Sequence, residues 1–180
     1  MQFQLAQSIE VLASTPAVLD ALLRNKSEPW LHARKSPEAF TPIDVVGHLI
    51  LADETDWLPR ARVILDGAHS PFPPLDRFDF QRLIANKSID TLLDDFATLR
   101  TQNLQTLTAL NLTEAQLNLQ GTHPQFGPVT LRQLLATWAV HDLNHIQQIV
   151  RTLSNEYREA VGPWSKFLGV LQCSGHSAPA

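Results

Sequence analysis

The chain reads as an all-α protein, a four-helix bundle with one or two additional short helices. Three observations carry this. Apolar residues recur at helical spacing through four long stretches. The twelve prolines cluster between those stretches, as punctuation between helices should, and glycines number only seven. No segment alternates apolar and polar residues for long enough to make a convincing strand.

Residues 2 to 13 place Phe3, Leu5, Ile9 and Leu12 along one face. Ser14-Thr15-Pro16 then predicts a helix end and restart, with Thr15 as cap and proline at the first helical position. Val18, Leu19, Leu22 and Leu23 continue the apolar side to about Arg24. The polar stretch 25–40, with two prolines, is expected to be a loop. Thr41-Pro42-Ile43-Asp44 is a strong start: hydroxyl cap, proline at N1 and carboxylate at N3. That helix should reach Asp66, bend near Pro59 and stop at Gly67. Residues 67–79 are too proline-rich for regular structure, and a short helix fits 80–85.

Ser88 caps the next long helix, with Ile89, Leu92, Leu93, Phe96, Leu99, Leu107 and Leu110 on its buried side. Residues 111–129 are expected to form a loop. Thr130 and Gln133 make a capping box for a helix reaching about Ser154. Gly162-Pro163 introduces a last short helix packed through Trp164, Phe167 and Leu168. One domain over residues 1–173 is expected, followed by a fraying tail from Ser174. The loops after the first two long helices permit crossovers, so helix order stays open.

Hydrophobic residues at 44% and charged residues at 18% fit a globular domain. A formal net charge of −4 argues against nucleic acid as a partner. No apolar run approaches the ~20 residues a membrane span needs. Cys173 is the single cysteine, and the start of the chain lacks signal-peptide regions, which together point to the cytoplasm.

The chemistry concentrates on His141 and His145. Four residues apart on a helix, they share a face with Leu134, Trp138 and Ile149, so both imidazoles should point inward. Inward imidazoles need hydrogen-bond partners or a shared metal. His48, in the apolar run Val45-Val46-Gly47-His48-Leu49-Ile50, is the best third ligand, and Gly47 beside it would let a neighbour approach closely. Three imidazoles would leave positions on an ion open for water or substrate. The alternative for each histidine is a hydrogen-bonded core residue.

The segments 40–49, 130–135 and 138–146, with His123-Pro124-Gln125-Phe126-Gly127 ahead of the last two, resemble the DinB/YfiT-like family. The resemblance spans most of the chain in element order. It implies a four-helix bundle and a divalent metal held by His48, His141 and His145. Zinc or nickel is the leading expectation, with iron or manganese as alternatives.

Other candidates are weaker. Asp53, Glu54 and Asp56 follow His48; one could be a base, but a solvated face explains three acids equally well. Asp142 and Asn144 point off the histidine face and would bond a ligand's second nitrogen or meet solvent. His123 would serve either as an acid/base at the site mouth or in ordering its loop. Trp57 and Trp138 would wall a pocket or pack the core. His32 and His69 look solvated, and Cys173 with His176 does not make a site.

The family resemblance implies a metal-dependent enzyme acting on a small molecule, with transfer of a low-molecular-weight thiol slightly preferred to hydrolysis. The competing reading is a non-enzymatic metal-binding or stress-related binding protein, with a homodimer through a bundle face as one form of it. A zinc protease is disfavoured, because His141-Asp142-Leu143-Asn144-His145 has aspartate where H-E-x-x-H has glutamate.

Overall fold

The computed structural model describes residues 2–67, 71–74, 76 and 78–172. In chain order the elements are α1 (Leu5–Leu23), α2 (Glu28–Leu31), α3 (Pro42–Thr55), α4 (Trp57–Leu65), α5 (Gln81–Ile84), α6 (Ile89–Ala109) and α7 (Glu114–Leu117). Then follow β1 (Gln120–His123), β2 (Gly127–Thr130), α8 (Leu131–Glu156), a 3-10 helix (Gly162–Phe167) and α9 (Gly169–Gln172). His69, Cys173, His176 and the expected tail lie outside the described residues.

The bundle is built from α1, α3 with its continuation α4, α6 and α8. Helix α1 packs on α6 and α8, and α3 packs on the same two. Helices α1 and α3 therefore face each other across the bundle, as do α6 and α8. This is the crossover order that the long loops permitted.

The caps fall where expected. Thr41 and Asp44 exchange hydrogen bonds in a capping box, Thr130 and Gln133 form another, and Ser88 accepts from the Thr91 amide. Gly47 does admit a neighbour: a Cβ there would lie 2.4 Å from Ile84 Cγ2, so α5 seats directly against α3.

Five expectations are corrected. Helix α1 runs unbroken through Pro16. The Ser14 hydroxyl donates to the Glu10 carbonyl at 2.7 Å and the Thr15 hydroxyl to that of Val11 at 3.3 Å. The Leu12 carbonyl, which would normally accept from residue 16, receives an arginine instead. The second long helix breaks at Asp56 rather than bending at Pro59. The proline ring would strike the carbonyl four residues back, at Thr55, so the interruption falls one turn earlier. The polar stretch 25–40 is not loop throughout, since Pro29 starts the one-turn α2.

The expected loop 111–129 holds α7 and an antiparallel hairpin pairing Gln120 with Thr130 and His123 with Gly127. Strands of four residues are too short to show alternation. Gly127 turns the hairpin at φ +73°, and Gly121 lies so close to Phe72 and Ile64 that a Cβ would sit under 3 Å from both. Near the carboxyl end, Trp164 and Phe167 do not pack; they are 70% and 86% exposed.

The apolar core divides into two clusters. One gathers Leu12, Trp57, Ile64, Phe72, Leu104 and Trp138; the other gathers Leu19, Val46, Leu49, Leu92, Phe96 and Ile149. Between them lies a buried charge layer centred on Arg100, 1% exposed. Its Nε donates to Asp53 Oδ2 at 2.7 Å and its Nη2 to Asp53 Oδ1 at 2.9 Å. Nη2 also reaches Asp142 Oδ1 at 3.1 Å, while Nη1 donates to Asp142 Oδ2 and, at 3.1 Å, to the Leu12 carbonyl. All five guanidinium hydrogens are engaged. One side chain thus ties α6 to α1, α3 and α8.

Arg100→Met should lower stability by ~3–5 kcal/mol, because it leaves two carboxylates buried without their cation. Arg100→Lys should fail to rescue, since an ammonium cannot reproduce the two-pronged contacts. Denaturant unfolding of both variants checks this, and a lysine variant of wild-type stability would contradict it.

Candidate metal centre

The charge layer fixes the rotation of α8 about its axis, and that rotation aims the histidines. With Asp142 held on Arg100, the adjacent face carries His141 and His145 toward α3, where His48 meets them. His48 and His145 are 8% and 7% exposed; His141 is intermediate. The ligand atoms offered by the three residues all lie within 4.8 Å of one another. His141 Nε2 is 3.2 Å from His48 Nε2 and 3.2 Å from His145 Nε2.

That spacing has a specific chemical meaning. Two nitrogens bound to one tetrahedral ion at ~2.0–2.1 Å lie ~3.3 Å apart. His145 Nδ1 is 2.8 Å from Gln148 Oε1. Donating there leaves a neutral His145 with a bare Nε2 lone pair facing the cluster. The two contacts at His141 Nε2 then cannot both be good hydrogen bonds. A cation at the centre answers all three lone pairs at once. The residues present fit a divalent metal.

Electrostatics favour the neutral imidazoles that a metal requires. Burial pushes His141 well below the usual histidine range, and His145, His48 and Arg100 push it the same way. Burial also lowers His145, opposed by its Gln148 bond and by Asp142. Aromatic rings complete the walls. Phe40 lies tilted against His48 at 5.8 Å, and Trp57 makes a T-shaped contact with His141 at 5.1 Å. Trp57 stacks at 5.8 Å on Trp138, whose indole N–H donates to Asp53 at 3.2 Å. Both tryptophans are core residues with a second role in steadying the cluster.

The acids expected on a solvated face are mostly not there. Asp53 and Asp56 are 2% and 8% exposed. Asp53 accepts Arg100 and Trp138, and Asn103 Nδ2 reaches its carbonyl at 2.8 Å in the last turn of α3. Burial pushes the Asp53 carboxyl up and Arg100 opposes it. The three N–H groups that reach Asp53 oxygens all donate, the pattern of an ionised carboxylate. Asp56 pairs with Arg60, and burial pushes it up too. Asp142 is fully buried on Arg100 rather than bonded to a histidine. These acids hold the scaffold and are not free bases. Glu54 lies at the surface near Arg82. His32 is exposed beside Glu28.

His123 stays outside the cluster and orders its loop. Its Nδ1 accepts from the Gln125 and Phe126 amides at 3.1 and 3.3 Å, and its ring stacks on Phe126 at 4.4 Å. A groove of about 580 Å³ between α1 and α6, lined by Ile9, Pro16, Leu104 and Thr108, touches none of the three histidines. Arg100 at that groove has no free hydrogen to offer a ligand.

Sequence reasoning missed two participants. Arg100 falls on the apolar stripe of α6, four residues from both Phe96 and Leu104, and that placement is a readable signal. Gln148 follows His145 by three residues, on the same face, and was readable in the same way.

These features define a class: a four-helix bundle that gathers histidines from two of its helices at one interior point. A family model described as the DinB superfamily matches residues 12–149, and the chain belongs to that superfamily. Among solved structures, it is similar to YfiT from Bacillus subtilis, described as a probable metal-dependent hydrolase with an unusual four-helix bundle topology. The TM-score is 0.72 at 21% identity, covering 88% of each chain. TT2238, a four-helix bundle protein, gives 0.54 at 23% identity over 81% of this chain and 98% of that one. Comparison with curated proteins gives no match.

Burial and Arg60 lower His123, so its neutral form is favoured in the fold. The stability that this form contributes is fully present above the unfolded value, ~6.5, and is lost as pH falls below it. Protonated Nδ1 can no longer accept the two amides. Hydrogen-exchange protection of Gln125 and Phe126 should therefore weaken in acid, and a His123→Phe variant should show weak protection at every pH.

Proposed function

We propose that the protein is a metal-dependent enzyme acting on a small molecule, with His48, His141 and His145 as ligands to one divalent ion. The observation that carries this is the convergence of three Nε2 atoms at the spacing of a coordination shell. Three ligands leave room for an exogenous one. The bound ion would act as a Lewis acid that makes a water or thiol nucleophilic at neutral pH. The chain's own contribution is to hold three imidazoles oriented and backed by aromatic walls, with burial favouring the neutral forms of His141 and His145. Imidazole donors suit zinc or nickel first, iron or manganese next.

Two reaction classes fit this centre. Hydrolysis is what the description of YfiT names, for that protein. Thiol transfer rests on the family resemblance, with the thiol brought by a substrate. The fold favours neither. No described helix is long and apolar enough to cross a membrane. A cytoplasmic setting fits the single cysteine.

Elemental analysis of protein purified without a metal-affinity column should find about one divalent ion per chain. His141→Ala should abolish that loading and leave the helical circular-dichroism signal intact, because the helices bury their own apolar stripes. Metal-loaded protein should then be screened with esters and amides, and with low-molecular-weight thiols against electrophiles. Turnover lost in His145→Ala assigns the class. A metal-loaded protein silent in every assay would favour the non-enzymatic binding reading, and metal-free wild type would end the proposal.

A further inference from the structure

We infer that Gln148 is a positioning residue for the metal centre: it fixes His145 as the Nδ1–H tautomer and thereby aims the Nε2 lone pair at the other two histidines. The inference rests on the metal reading above and extends it to a residue that touches no ion.

Gln148 lies three residues after His145 on α8, so the two side chains share a face. Its Oε1 is 2.8 Å from His145 Nδ1, the nitrogen on the side of the ring away from the cluster. A carboxamide oxygen only accepts, so the proton must be on Nδ1 and Nε2 must be bare. The nitrogen of imidazole that binds a metal is set by the hydrogen bond made at the other. The His141 ring on the same helix is held differently. Its Nδ1 is buried without a hydrogen-bond partner among the described residues, and Trp57 packs against the ring in a T-shaped contact. Within the α8 pair, the polar lock falls on His145 alone.

The opposite arrangement is chemically distinct. With the Gln148 amide reversed, its NH2 would donate to Nδ1, and His145 would carry its proton on Nε2, pointing into the cluster. That tautomer cannot bind a metal there without losing a proton. Glutamate separates the two cases, because an ionised carboxylate can only accept.

The experiment uses full-length wild type, Gln148→Leu and Gln148→Glu. Two-bond proton–nitrogen spectra of the metal-free proteins read the His145 tautomer, and competition with a chromophoric chelator reads zinc affinity. Wild type and Gln148→Glu should show His145 as the Nδ1–H form and bind zinc comparably. Gln148→Leu should lose that tautomer's dominance and bind zinc ~10–100-fold more weakly. A leucine variant with wild-type tautomer and affinity would overturn the inference, as would a glutamate variant as weak as the leucine one. If wild type bound no zinc, the metal reading would fall, and the metal-free spectra would still decide what Gln148 does.

Discussion

The Arg100 clamp is the contact on which the rest of the arrangement depends. Desolvating a guanidinium and two carboxylates is costly, and the clamp is tolerable only because every donor finds an acceptor. The carboxylates outweigh burial and keep Arg100 firmly protonated. The clamp is directional in a way that apolar packing is not. Leucines can slide past one another by part of a turn at modest cost. A fork that must meet Asp53 on α3, Asp142 on α8 and the Leu12 carbonyl on α1 admits one register for all three.

Pro16 belongs to this logic. A proline inside a helix costs ~3 kcal/mol or more, partly by removing a backbone donor. Here the lost donor is the one that would have served Leu12, and Arg100 supplies a hydrogen bond in its place. The defect in α1 becomes an acceptor for the buried Arg100. The same position explains why the apolar core divides: the polar layer needs a level of its own, with Phe96 on one side of Arg100 and Leu104 on the other.

Much of this was legible in the sequence, and what was not has physical causes. The four long helices, their caps at Thr41, Ser88 and Thr130, and the inward face of His141 and His145 follow from periodicity and capping chemistry, which are local. Helix continuity at Pro16 was misread because the compensation comes from a residue 84 positions away. The hairpin was missed because its strands are pinned by Phe72 and Ile64 rather than by their own alternation. Asp53, Asp56 and Asp142 were read as solvent-facing or ligand-bonded because their partners were not recognised, Arg100 for Asp53 and Asp142 and Arg60 for Asp56. The three histidines were nameable in advance; the spacing of their Nε2 atoms was not.

The two polar assemblies in this core differ in a way that separates structure from function. In the Arg100 layer all five guanidinium hydrogens are used, so nothing remains for a ligand to satisfy and nothing would be gained by opening it. In the histidine cluster Gln148 holds the outer nitrogen of His145, and the inner side is deficient, because His141 Nε2 lies 3.2 Å from both His48 Nε2 and His145 Nε2 and one proton cannot serve both contacts. Like-facing lone pairs are mildly repulsive, and only a proton or a cation relieves them. Burial disfavours an added proton, and the one proton of a neutral His141 can serve only one of its two contacts, whereas a metal would answer all three nitrogens. The Arg100 layer supplies the frame, and the cluster it aims is the part of the core left short of hydrogen-bond partners.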